Sequence, residues 1–154
     1  MRTSFTLKAL LPVSMFLLFG CADGKVAPVS GTVKLDGKPL KGALVTYTPQ
    51  EGGRPSFGET NEEGYYELTY TREQQGAEIG KHDVSITTFR EGGGYGGGAE
   101  GAKETVPSKY NSSTELVKDV PSGGATIDFE LDSDGQIDST GGYGGGGGYS
   151  GDSY

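Results

Sequence analysis

Val29-Ser30-Gly31-Thr32-Val33-Lys34-Leu35-Asp36-Gly37 is the stretch on which the fold reading turns. Val29, Val33 and Leu35 fall on odd positions, and Ser30, Thr32 and Lys34 on even ones. That is the period-two pattern of a half-buried β-strand. Asp36-Gly37 then supplies two residues that accept positive φ, as a two-residue hairpin turn requires. The chain is expected to fold back directly after Leu35.

The same alternation recurs downstream. Between Ala43 and Pro49, residues Ala43, Val45 and Tyr47 share one face and Leu44, Thr46 and Thr48 the other. Ser56 to Thr60 and Tyr65 to Tyr70 flank the turn Asn61-Glu62-Glu63-Gly64, which predicts a second hairpin with Tyr66, Leu68 and Tyr70 on its inward face. Gly80 to Phe89 carries Val84 and Ile86 on one face, and Leu116 to Val120 is a shorter candidate strand. In Ala125 to Leu131, residues Ala125, Ile127, Phe129 and Leu131 alternate with Thr126, Asp128 and Glu130. Seven strands in about 100 residues without helical periodicity point to an all-β, two-sheet sandwich over 29–131.

The chain ahead of this domain has a different character. Arg2 and Lys8 precede an apolar run of eleven residues, Ala9 to Phe19, followed by Gly20 and Cys21. This is the layout of a secretory signal peptide. The run is about half the ~20 residues needed to cross a bilayer core, and Pro12 interrupts it. Leu18-Phe19-Gly20-Cys21 resembles the lipobox of bacterial lipoproteins, with Phe19 bulkier than the usual residue there. The resemblance implies cleavage of residues 1–20 before Cys21 and lipidation of Cys21 with acyl chains such as palmitate. An ordinary signal peptide cut at a neighbouring small residue is the alternative. Residues 21–28 then form a tether of at most ~28 Å between lipid and domain.

Charge and cysteine content limit the functions open to the chain. Removing residues 1–20 takes two of the 13 basic residues and none of the 21 acidic ones, which moves the net charge from −8 to −10. Such a surface is repelled by nucleic acid. Cys21 is the only cysteine, so no internal disulfide can form. Two glycine-rich stretches lie outside the strand pattern: Gly92 to Gly98, and the tail 132–154. Both have too few apolar groups to offset the entropy of ordering, which predicts a flexible loop insertion and a disordered tail.

Three blocks carry a family resemblance: Gly31 to Ala43, Thr60 to Leu68, and Gly80 to Ile86. Together they resemble the carboxypeptidase regulatory-like domain, also called transthyretin-like or prealbumin-like. The resemblance spans most of residues 27–131 and implies a seven-stranded Greek-key β-sandwich. It also places a short element at Pro107 to Tyr110, with Tyr110 as a packing residue. His82 stands where the family carries an aromatic. Related adhesin domains hold a lysine-to-asparagine crosslink, but the last strand here offers Asp128 and Glu130 and no asparagine.

Few residues suggest chemistry. His82 is the only histidine and shares parity with Val84 and Ile86, which predicts a core-edge role. No second histidine exists to build a metal site or a triad around it. Asp132, Asp134 and Asp138 are weak candidates for holding Ca²⁺, although their spacing departs from an EF-hand loop. Tyr95, Tyr143 and Tyr149 lie in glycine-rich sequence and are candidate contact residues for a glycan or protein. No catalytic residue and no cofactor is implied.

The expected function is that of a non-catalytic, membrane-anchored lipoprotein, a structural or interaction module in the cell envelope. It would be exported and held to the cell membrane or outer membrane, with its domain in the periplasm or at the cell surface. Two alternatives remain: a module binding carbohydrate or another extracellular polymer, and an accessory subunit of a separately encoded envelope enzyme.

Overall fold

The computed structural model describes residues 25–92 and 101–138. Thirteen strands follow one another: β1 (Val26–Ala27), β2 (Val29–Leu35), β3 (Lys38–Pro39), β4 (Leu44–Pro49), β5 (Ser56–Glu59), β6 (Tyr65–Glu67), β7 (Thr69–Thr71), β8 (Gln74–Gln75), β9 (Ala77–Glu78), β10 (Gly80–Thr87), β11 (Val117–Val120), β12 (Ala125–Thr126) and β13 (Phe129–Leu131). The one helical element among the described residues is a 3₁₀ turn at Ser108–Tyr110. The protein is mostly β, as expected, and its strands are distributed over several sheets.

The six-stranded sheet runs β11-β10-β4-β5-β7-β8 and is antiparallel throughout. A second sheet is built around β2, which pairs antiparallel with β3 and β6 and parallel with β12 and β13. A small β1–β9 ribbon completes the set. Val45, Tyr47, Val84 and Ile86 from the first sheet meet Val33, Tyr66, Phe129 and Leu131 from the second in one hydrophobic core. The alternation of the opening stretch is realised directly: Val29 and Val33 are buried, and the β2–β3 turn holds Asp36 at φ 51° and Gly37 at φ 73°.

The structure departs from the sequence expectations at five places. Tyr65 to Tyr70 is not one strand of a hairpin, because it changes sheets at Leu68. β6 pairs with β2, while β7 returns to the six-stranded sheet through the Phe57–Thr69 pair. Leu68 makes the crossing, donating its N–H to the Val29 carbonyl and accepting at its own carbonyl from Gly76. Tyr70 is consequently turned out of the core and donates its hydroxyl to Glu78 at 2.7 Å. The paired β structure begins ahead of Val29, since β1 starts at Val26 and Lys25 already accepts a bond from Ile79. At the other end residues 132–138 pack back on the domain: Gln136 accepts from the Ser108 N–H, and Ser133 donates to Asp36. The tail from 139 and the loop centre at 93–100 lie outside the described residues.

The fifth departure lies in the last strand, where Ala125 to Leu131 divides into β12 and β13 without a change of register against β2. In a parallel ladder the Ile127 carbonyl would accept from the Thr32 N–H. Instead the Asp128 carboxylate accepts both the Thr32 N–H at 2.7 Å and the Thr32 hydroxyl at 2.9 Å. The Ile127 carbonyl accepts the Tyr66 hydroxyl at 2.8 Å. Tyr66 stands opposite Gly31 in the β2–β6 register, so its side chain reaches across a residue that has no Cβ. A Cβ at Gly31 would lie 1.8 Å from the Ile127 oxygen.

Gly31→Ala is therefore expected to cost on the order of 3 kcal/mol, the upper end for overpacking a rigid site. The urea unfolding midpoint of this variant against the parent is the check; a change within error would show that β12 relaxes freely.

Candidate functional site

Of the residues singled out in the sequence, Cys21, Tyr95, Tyr143 and Tyr149 lie outside the described residues. The three aspartates are placed, and they are engaged with the protein itself. Asp132 bonds Lys109 and, at 2.8 Å, the Tyr110 hydroxyl; the Lys109 bond does most to hold its carboxyl below the usual range. Asp138 accepts the Ser112 hydroxyl at 2.7 Å, and Asp134 donates its N–H to Asp132. Among the described residues no group of three His, Cys, Asp or Glu side chains converges as a metal site. The acids instead fasten residues 132–138 along the 3₁₀ turn.

His82 is buried at 1 % exposure, with its ring 5.7 Å from that of Tyr47. Nδ1 lies 3.0 Å from the Gly80 carbonyl, so it is the protonated nitrogen, and Nε2 has no partner among the described residues. The ring packs inward against Tyr47, on the face that its parity with Val84 and Ile86 implied. Beyond it the Tyr47 and Tyr66 hydroxyls meet at 3.3 Å. Because Tyr66 donates to the Ile127 carbonyl, Tyr47 donates to Tyr66. Desolvation pushes the Tyr47 phenol up to about 12 and raises Tyr66 as well.

A buried carboxylate, Glu104, closes the base of the glycine-rich loop. It accepts the Thr88 N–H at 3.0 Å, the Thr88 hydroxyl at 2.9 Å, the Val106 N–H at 2.9 Å, and the Thr87 hydroxyl. Burial alone would raise its carboxyl, but these hydrogen bonds outweigh burial and hold it below the ordinary value. Just outside, Arg90 and Ala102 exchange both backbone hydrogen bonds. The site is structural, and composition offered no sign of it because Glu104 sits among polar residues.

Among the described residues, a cleft of about 330 Å³ opens on the outward face of the β2 sheet. Ser30 forms its floor and lies beside Glu67 on β6 and Thr126 on β12 in one cross-strand row. Gln75 and Gly76 stand on one side, with Gly123 and Gly124 contributing the other. Glu67 accepts the Tyr65 hydroxyl at 3.0 Å, and Tyr65 itself is 38 % exposed. The sequence pattern marked these side chains only as outward-facing, since the walls come from four separate segments. Comparison with protein-family models, with curated proteins and with solved structures returns no match for this chain.

Two pH dependences follow. The depressed Glu104 carboxyl contributes stability that is present above the unfolded-state value of about 4.3 and is lost as pH falls through the folded value. Glu104→Gln should lose about 2–3 kcal/mol at pH 7, and its stability should fall less between pH ~5 and ~3 than the parent's, as read from urea midpoints. The raised phenols act in the opposite direction: their contribution is intact below about pH 10 and is lost above it. A Tyr47→Phe, Tyr66→Phe double variant should show a shallower alkaline loss of its thermal midpoint; equal slopes would contradict the assignment.

Proposed function

We propose that this chain is a non-catalytic lipoprotein of the cell envelope, anchored through Cys21 and serving as an interaction module. Its fold in this reading is a seven-stranded Greek-key sandwich of the carboxypeptidase regulatory-like, or transthyretin-like, kind. The sandwich reading is supported by the two sheets sharing one core and by the last strand returning parallel to β2. Seven longer segments emerge when β6–β7 and β12–β13 are each taken as one interrupted strand.

The observation that supports the anchoring reading is the sequence Leu18-Phe19-Gly20-Cys21 at the end of the apolar run. Ile79 donates to the Lys25 carbonyl, four residues after Cys21, so a lipidated Cys21 would hold the β1–β9 end within about 15 Å of the bilayer. A domain held that closely would present its outer faces to neighbouring envelope components. The non-catalytic reading is supported by the engagement of the titratable side chains with the fold. Glu104 fixes a loop base, Asp132 binds Lys109, and His82 packs on Tyr47.

Metabolic labelling with an alkyne analogue of palmitate tests the anchor. The full-length protein should carry the label and sediment with membranes, whereas Cys21→Ala should lose the label and should not undergo lipoprotein processing. A parent protein without label would overturn the anchor, and turnover of peptide or ester substrates by the purified protein would overturn the non-catalytic reading.

A further inference from the structure

The Glu67 cleft brings a carboxylate together with hydroxyl and amide side chains and glycine backbone. We infer that it binds a neutral saccharide, with Glu67 accepting hydroxyl hydrogen bonds and the ring of Tyr65, which is bonded to Glu67 just outside the cleft lining, packing against a sugar face that extends beyond the cleft. This rests on the interaction-module reading and names the ligand class that such a module would take.

The chemistry of the lining selects the ligand. A carboxylate is an acceptor with two oxygens and about four lone-pair positions. Tyr65 occupies Glu67 Oε1 at 3.0 Å, which orients the group and leaves Oε2 to accept from a vicinal diol. Thr126 and Gln75 are exposed and Ser30 is half-buried, so hydroxyl and amide groups that both donate and accept surround the carboxylate. A cleft of about 330 Å³ lies at the small end of ligand pockets and suits one or two sugar rings. Gly123 has open space where a side chain would stand, which lets a flat ring approach the backbone there.

Other occupants fit less well. An extended peptide adding to a sheet needs free backbone donors and acceptors. Here the Pro28 carbonyl accepts from Ala125, Val29 from Leu68, Ser30 from Ile127 and Leu68 from Gly76, so these four carbonyls at the cleft are already paired. An anionic ligand meets Glu67, with Asp128 in the next row of the same face and a net charge of −8 on the chain. A cation would find a single carboxylate and no converging group of three acids among the described residues. A neutral polyol has none of these disadvantages, and an exposed tyrosine beside polar groups supplies the apolar platform that sugar C–H groups pack against.

Calorimetric titration of the full-length protein, in a detergent without a sugar headgroup, provides the test. The probes are cellotetraose, mannotetraose and chitotetraose, with tetragalacturonate as the acidic counterpart. At least one neutral tetrasaccharide should bind and tetragalacturonate should not. Tyr65→Ala and Glu67→Gln should each weaken binding by about tenfold or more, and Thr126→Arg, which fills the cleft, should abolish it. Phe57→Ala, on the outward face of the other sheet, should bind as the parent does. Thermal midpoints near the parent's establish that these surface variants fold. No binding of any neutral probe, or binding unchanged in Tyr65→Ala and Glu67→Gln, would overturn the inference. The titration reads saccharide binding alone and the palmitate label reads anchoring alone, so either reading can fail while the other stands.

Discussion

The Ile127 carbonyl leaves its ladder and accepts the Tyr66 hydroxyl across Gly31, and much of the domain's order depends on that one contact. It joins three adjacent strands of the β2 sheet laterally through a side chain. Because Tyr47 donates to Tyr66 in turn, the same chain of hydroxyls ties that sheet to the six-stranded one. A polar chain inside a small core is tolerable only when each member has a partner. Gly31 supplies the space, Asp128 satisfies the Thr32 amide that the carbonyl abandons, and Tyr66 satisfies the carbonyl. With a single cysteine in the chain and so no internal disulfide, the union of the first long strand with the last is achieved by these groups, by the ladder and by packing.

Thr60 plays a comparable part on the opposite flank of β2. Its hydroxyl accepts the Ala43 N–H at 2.8 Å and donates to the Leu40 carbonyl at 2.6 Å, while its backbone pairs with Gly42 and Ala43. The segment leaving β3 and the turn before β6 are thereby fixed to each other. Asn61 then closes the turn, its side-chain oxygen accepting from both Glu63 and Tyr65. Tyr65 and Glu67 inherit their positions from that turn, so the cleft depends on contacts well outside it.

What could be read from the sequence was whatever is governed by neighbours along the chain. Val29 to Leu35 and Ala43 to Pro49 announced themselves because a strand's two faces alternate residue by residue, and Asp36-Gly37 because positive φ is a local demand. His82 was legible for the same reason, its parity with Val84 placing it inward. Tyr65 to Tyr70 misled because the change of sheet at Leu68 is imposed by Val29 and Gly76, neither of which the alternation records. The interruption after Thr126 was equally hidden, since Ile127 keeps its register and only its carbonyl turns. The cleft was invisible because Ser30, Glu67, Gln75 and Thr126 meet only after the strands pair, and none of them is unusual alone.

The clasp at the base of the glycine-rich loop has a consequence for how this chain can change over evolutionary time. Arg90 and Ala102 are bonded to each other, and Glu104 secures the residues immediately behind them. The two ends of the loop are thus held independently of what lies between. Closing a longer loop costs little, about 0.6 kcal/mol for each doubling of length. The position between Arg90 and Ala102 is accordingly a port for insertion, where new sequence can be acquired and tried without retuning the sheets beneath it.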